Sequence, residues 1–258
     1  MRKGLLLTAF IVFVSLTVSN AALAELRWQA GAKGGAYWAK LKGDAVSLWI
    51  GGAEEQQLAG SIGDSKLGFT GGAFLTVFFN DFFGLQTELM YTPKGGKGTA
   101  TGHIIYYPEY DNPRPAFFNG TVYANLDYVE VPLLAVFEFE ATDGGKIRIR
   151  GLVGPTFAFN IHAESRLEGT AEITMQDTST RSQQIDQRAE IGEFVKNFEF
   201  GLMFGGAVYW DIGKVDLLIE SRWERGLTSL DNTTLYHNIH TSNVSLMFGV
   251  SVPIGGER

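Results

Sequence analysis

Cysteine is missing from all 258 residues, which excludes a disulfide scaffold and thiolate chemistry. Runs of lysine and arginine are missing too, and the formal charge is -7, so the chain lacks the basic stripe a nucleic-acid surface needs. Past the N-terminus no apolar run is long enough to span a membrane as a helix, and no window sustains an apolar repeat of 3.6 residues. Proline is scarce, at 7 residues. Glycine, at 32, and aromatics, at 13%, are plentiful. These proportions favour β structure in one all-β domain.

The N-terminus reads as a secretory signal peptide over residues 1–24. Arg2 and Lys3 precede the short apolar run LLLTAFIVFVSLTV, and Ala22-Leu23-Ala24 supplies a small-residue cleavage site. The run is shorter than the roughly 20 residues of a spanning helix. The mature domain is expected over 25–258. Losing Arg2 and Lys3, with no acid among residues 1–24, moves the formal charge from -7 to -9.

The stretch NLDYVEVPLLAVFEFE shows what the mature chain is made of. Val129, Val131, Leu133, Ala135, Phe137 and Phe139 alternate with Tyr128, Glu130, Pro132, Leu134, Val136 and Glu138, a period of two that predicts a strand with a different environment on each face. Seven more segments repeat the pattern, near 28–38, 66–79, 83–91, 147–160, 198–210, 215–224 and 243–254, which makes eight strands. Tight turns at Asn80-Asp81, Thr142-Asp143-Gly144 and Ile212-Gly213 alternate with polar links at 43–65, 95–123, 162–195 and 229–241.

An even count of alternating strands with short turns at one end and long links at the other predicts an eight-stranded antiparallel up-and-down transmembrane β-barrel. The short turns and both termini are then periplasmic and the long links extracellular. A soluble lipocalin-type barrel also alternates, with its apolar face inward. Two features decide against it. Aromatics gather toward strand ends in the apolar register (Trp28, Trp38, Phe79, Phe83, Tyr91, Phe139, Phe159, Phe198, Trp210, Trp223), as interfacial girdles require. Glycines crowd the polar register (among them Gly31, Gly35, Gly68, Gly72, Gly205, Gly249), where a narrow lumen needs small residues. Pro132 and Pro155 each remove a ladder donor in a sheet that has no edge, and they predict a local bulge between the fourth and fifth strands.

The stretches LQTELMYTPKGGK (85–97), LDYVEVPLLAVFEF (126–139), IRGLVGPTFAFNI (149–161), FEFGLMFGGAVYW (198–210) and RWERGLTSL (222–230) resemble, in this order, the outer-membrane β-barrel domain proteins called PorT-like. The resemblance spans nearly the whole mature chain. It implies an eight-stranded barrel in the bacterial outer membrane and no particular biochemical activity. One departure is the C-terminus, which ends Pro253-Ile254-Gly255-Gly256-Glu257-Arg258 instead of on an aromatic and leaves Phe248 as the aromatic of the insertion signal.

The polar register supplies candidate lumen residues: Glu88, Glu130, Glu138, Arg148, Arg150, Glu199, Asp216, Glu220, Arg222 and Glu224. Mixed signs on neighbouring strands predict mutual pairing, because an unpaired charge in a narrow interior is costly. With a three-residue turn at 142–144, Ala141 faces Gly145, Glu138 faces Arg148, Arg150 is diagonal to Glu138, and Pro132 faces Gly154. Tyr128, Met203 and Tyr209 join the plug.

Other candidates lie in the links. Tyr106, Tyr107, Tyr110, Phe117 and Phe118 form either a binding patch or the packed upper part of a hairpin. His103, His162, His237 and His240 all fall in links or at their edges. His237 and His240 near Asp231 and Ser242 raise a metal site or a nucleophile, but no helix or strand fixes their spacing.

No catalytic set, metal site or cofactor is expected. The expected partners are outer-membrane lipids, the assembly machinery during insertion and envelope proteins met by the loops. The reading is a structural or binding barrel that is not an enzyme. The alternatives are a lipid- or peptide-acting enzyme using loop histidines and a narrow channel.

Overall fold

The computed structural model describes residues 26–43, 57–106, 114–142, 144–174, 179–232 and 238–254. In chain order its strands are β1 (Arg27–Ala39), β2 (Leu41–Lys42), β3 (Gln57–Gly60), β4 (Lys66–Phe78), β5 (Phe83–Tyr106), β6 (Arg114–Glu140), β7 (Ile147–Thr174), β8 (Thr180–Glu190), β9 (Phe198–Asp211), β10 (Asp216–Gly226) and β11 (His240–Ile254). Eight of them form a ring in the order β1, β4, β5, β6, β7, β9, β10, β11, each antiparallel to the next. β11 pairs back onto β1 from Trp28↔Ile254 to Trp38↔Val244 and closes the barrel. The eight-stranded up-and-down barrel predicted by the alternation is present, and β2, β3 and β8 are additions outside the ring.

The alternation maps directly onto burial. Along β10 every residue from Asp216 to Gly226 switches between buried and exposed without a break. Asp216, Leu218, Glu220, Arg222 and Glu224 turn inward, while Leu217, Ile219 and Trp223 turn out. Exposed aromatics ring both ends of the apolar wall: Trp28, Phe82, Phe139 and Trp210 at the short-turn end, Trp38, Tyr91, Phe159, Phe198 and Trp223 at the other. On β1 the two girdle tryptophans are Trp28 and Trp38. Their separation is about 33 Å along a strand and about 25 Å once the strand tilts, which matches the apolar band of an outer-membrane barrel.

The turn after β6 is longer than its sequence suggested. Ala141 N–H donates to Ile147 O at 2.8 Å, Gly145 N–H to Thr142 O at 3.0 Å, and Ile147 N–H to the Thr142 hydroxyl at 3.0 Å. Gly144 and Gly145 both adopt positive φ, +80° and +65°, a conformation glycine enters without penalty. Two successive left-handed residues extend the turn to 142–146. The register therefore places Glu138 opposite Arg150, Glu140 opposite Arg148 and Pro132 opposite Thr156. The expected facing pairs Glu138 with Arg148 and Pro132 with Gly154 are corrected accordingly.

The bulge also lies elsewhere than predicted. The β6–β7 register is the same at Pro132↔Thr156 and at Ala135↔Val153, so the prolines interrupt the ladder without shifting it. The shift falls between Asp127↔His162 and Tyr128↔Asn160, which leaves Ile161, 58% exposed, as the extra residue. Below Ile161 the inward residues of β7 are even-numbered (Leu152, Thr156, Ala158), and above it they are odd-numbered (Ala163, Ser165, Ala171, Ile173). An inserted residue is what such a switch of face requires.

The links at 95–123 and 162–195 are largely strand. β5, β6 and β7 run for 24, 27 and 28 residues, where a barrel strand needs only about 9–11 to cross the hydrocarbon. The surplus stands beyond the outer girdle as a sheet ordered β3–β5–β6–β7–β8. The inner face of that sheet, with Phe118, Val122, Ile173 and Ile185, packs on Leu41, Ile62, Ile191, Val195, Leu230 and Ile239 in one apolar cluster. Polar composition concealed these strands, because only one face of them is apolar.

Leu133, on the outward register of β6, is 47% exposed near the middle of the apolar band. Leu133→Arg should destabilise the barrel by about 2–4 kcal/mol, measured as a lower urea midpoint for folding into lipid vesicles. An unchanged midpoint would contradict a lipid-facing position.

Candidate functional site

Among the described residues, the lumen is where charged side chains gather out of solvent, and they do so in three tiers. Nearest the short turns, Glu138 binds Arg27 at 2.7 Å and Arg150 at 2.6 Å. Arg148 binds Asp216 at 2.6 Å and approaches Glu138 only to 3.9 Å. Gln29 joins the two halves: its amide N–H donates to Asp216 at 2.6 Å and to Ser251 at 2.7 Å, and its carbonyl accepts from Arg150 at 2.6 Å. The Arg150 guanidinium lies 3.6 Å from the centre of the Tyr209 ring, a cation–π contact strengthened by exclusion of water.

In the middle tier Lys33 binds both Glu88 and Glu220 at 2.9 Å. Arg222 binds the same two carboxylates, reaching Glu88 at 2.7 Å. Charges balance here, two against two. Local sequence makes the room: a Cβ on Gly249 would lie 2.7 Å from Lys33 Cβ, and one on Gly205 would lie 2.9 Å from Arg222 Cγ. Around this tier Phe74, Phe78, Leu134, Val136, Leu152, Met203, Ala207, Tyr209 and Leu218 form an apolar cluster inside the barrel.

In the outermost tier Lys94 is surrounded by Glu130 at 3.1 Å, Glu199 at 2.8 Å and Glu224. Tyr37 O–H donates to Glu224 at 3.1 Å, and Thr241 O–H to Glu199 at 2.7 Å. Lys94 also lies 5.4 Å from the centre of the buried Tyr128 ring. The register pairs Met90 with Glu130 and Lys94 with Leu126, so Lys94 enters from a rung of β5 beyond its carboxylates.

The ten charged residues named from the sequence all contribute to these tiers, and nine of them are buried, Arg148 being the partial exception. Arg27, Lys33, Lys94, Gln29 and Tyr37 were missed as members. Lys33, Gln29 and Tyr37 stood in the polar register of the first strand. Lys94 was hidden by Pro93 and Gly95, which read as the start of a link, although Glu88, Met90, Thr92 and Lys94 continue one face.

Of the aromatic candidates, Phe118 is buried in the upper cluster while Phe117 is 43% exposed and stacks edge-on against His103 at 5.5 Å. Tyr107 and Tyr110 lie outside the described residues, as does His237, and Tyr106 ends β5. His240 and Ser242 occupy the outward register of β11, and Asp231 bridges to Val195. His162 flanks the bulge opposite Asp127. On the raised sheet, Arg166 donates two hydrogen bonds to Asp186, at 2.7 and 2.8 Å. These hold the Asp186 carboxyl below the usual carboxylate range.

Among the described residues Lys94 is the sole cation of its tier, and it is fully buried. Lys94→Met removes the positive partner of three carboxylates and should destabilise by about 3–5 kcal/mol, as breaking a buried ion pair does. The urea midpoint of the folded barrel checks this; a loss below about 1 kcal/mol, the scale of an exposed pair, would show the tier to be solvated.

No curated protein matches the sequence. Among solved structures, the chain is similar to the Neisserial surface protein A, at 14% identity over 87% of this chain and 96% of that one, with a TM-score of 0.38. It is similar to the outer membrane protein OprG of Pseudomonas aeruginosa, at 10% identity over 88% and 96% and a TM-score of 0.40. It is also similar to the outer membrane protease OmpT of Escherichia coli, at 12% identity over 91% and 100% and a TM-score of 0.35. A family model described as the outer membrane protein beta-barrel domain matches residues 19–232, most of the chain, and the protein belongs to that family.

Proposed function

We propose that this outer-membrane barrel is a non-enzymatic structural or binding protein whose contacts are made by its long-link end, with a lumen that conducts nothing. The carrying observation is the filled interior: three tiers of paired charge and an apolar cluster occupy it. The cavity beside the outer tier measures only about 20 Å³. Among the described residues the lumen charges are engaged with one another and leave no constellation of nucleophile, base and orienting group inside the barrel. Above the girdle, the raised sheet presents polar side chains on its outer face, the natural surface for an envelope protein partner.

Several finer features belong to the same reading. The order of the five quoted stretches supports membership of the PorT-like group. A cleaved signal peptide over residues 1–24 delivers the chain to the bacterial envelope, the assembly machinery inserts it, and outer-membrane lipids contact its apolar wall. The long links face outside and the tight turns face the periplasm.

Three measurements test this. Purified barrel in planar bilayers should show no steady unitary conductance; reproducible single-channel steps would overturn the plugged lumen in favour of a narrow channel. Protease added to intact cells should cut only within the long links. Cleavage in the turn 142–146 of intact cells would invert the topology. His240→Ala with His237→Ala should leave the membrane lipid profile unchanged, and a changed profile would favour the enzyme.

A further inference from the structure

The three tiers differ in charge, and the difference is concentrated at one end. The short-turn tier sets Arg27, Arg148 and Arg150 against Glu138 and Asp216, and the middle tier is balanced. The outer tier sets one ammonium, Lys94, against Glu130, Glu199 and Glu224, with side chains between 0% and 4% exposed. β1 contributes Tyr37 and β6 Tyr128, both neutral phenols; β4 contributes Thr70, β7 Thr156 and β11 Thr241 and Asn243. Among the described residues the nearest other cations are Lys33 of β1 and Arg222 of β10, and both are committed to Glu88 and Glu220 in the tier below. Toward the outside, the apolar cluster around Leu126, Ala158 and Ile239 covers the tier. Three carboxylates sharing one ammonium in such surroundings carry an uncompensated negative charge, which a buried environment strongly disfavours.

A second observation points to what relieves it. The cavity of about 20 Å³ is bounded by Tyr37, Glu130, Glu224 and Asn243, a size that admits one water. Asn243, 1% exposed, accepts a hydrogen bond at Oδ1 from Lys40 N–H at 3.4 Å, while its Nδ2 has no acceptor. Glu130 Oε2 touches Lys94 at 3.1 Å but receives no hydrogen bond. A buried donor without an acceptor lines the same cavity as a carboxylate whose Oε2 meets only the Lys94 ammonium, and one water fits between them. The same donor, with Arg222 on the cavity wall, disfavours a metal ion, whose charge would face N–H groups.

We propose that the outer tier is a proton-binding site: one proton from solvent resides on the Glu130–Glu224 pair, bridged by a single water hydrogen-bonded to Asn243. The Glu130 carboxylate gains the proton on one oxygen and donates it in a hydrogen bond to the water or to Glu224, and no bond other than O–H forms. The folded barrel then holds a proton that the unfolded chain releases near neutral pH. Its stability falls as pH rises, with the unfolding equilibrium constant increasing by up to about tenfold per pH unit for one proton.

Infrared spectroscopy of the purified full-length barrel at neutral pH should show the carbonyl stretch of one protonated, buried carboxyl group. That band should be missing in Glu130→Gln, with Glu224→Gln as the second variant; heat-modifiable gel mobility confirms that each is folded. Glu130→Gln should also flatten the loss of stability as pH rises from the ordinary carboxylate range to neutral. Absence of the band in the wild type overturns the proposal, as does its persistence in both variants. Stability that depends on sodium against choline at fixed ionic strength, without a protonated band, would overturn it in favour of a metal-cation site.

Discussion

Hydrocarbon offers no hydrogen bonds, so every backbone N–H and C=O in the apolar band must be satisfied by the sheet itself, and the sheet must close. The rest of the molecule follows from that closure. It requires β11 to return to β1 and leaves no edge on which a proline can sit harmlessly. Pro132 and Pro155 nonetheless occur in adjacent strands. The chain meets the difficulty by keeping its register across the unpaired rungs and by placing Gly154 beside them, where a Cβ would overlap the Leu133 carbonyl. Close approach of the two backbones there confines the break between these strands to the rungs of Leu133 with Pro155 and Leu134 with Gly154.

Closing eight strands leaves an interior that side chains can fill. Each strand contributes every second residue to that interior, so bulk on one strand must be matched by lack of it on the next. Lys33 faces Gly249 and Arg222 faces Gly205 in the ladder, and both pairs serve the same middle tier. The ion pairs also act as a check on register. A slip of one residue would turn Glu88, Glu220 and Arg222 into lipid, which raises the free energy of misregistered barrels far more than an apolar interior would.

Much of this was legible in the sequence because the period of two survives any error in strand ends. The eight ring strands, the outward aromatics and the inward placement of Glu88, Glu130, Glu138 and Glu220 follow from alternation alone. What escaped were features set by the local backbone. The two left-handed glycines at 144 and 145 lengthened a turn that reads equally well as Thr-Asp-Gly, and the cross-strand partner of Glu138 moved from Arg148 to Arg150. Lys94 escaped because Pro93-Lys94-Gly95-Gly96 has the composition of a loop, although Pro93 and Lys94 pair with Asp127 and Leu126 in the ladder. Composition reports turn residues well only where the chain is free to turn, and here β6 holds it extended.

The bulge at Ile161 joins the two halves of the molecule. Below it β7 pairs with β9, and above it β7 exchanges that neighbour for β8. A strand that left the barrel wall in unbroken register would continue with the same parity, and Ile173, Ala171 and Ala163 would face outward. The extra residue turns them inward instead, onto the cluster with Phe118 and Ile185. No comparable switch is needed in β5 or β6, whose inward residues keep even numbers from Gln86 to Ile104 and from Ala116 to Glu138. One inserted residue thus lets a single strand serve two sheets: a ring whose outside is apolar for lipid, and a raised sheet whose inside is apolar because its outside meets water.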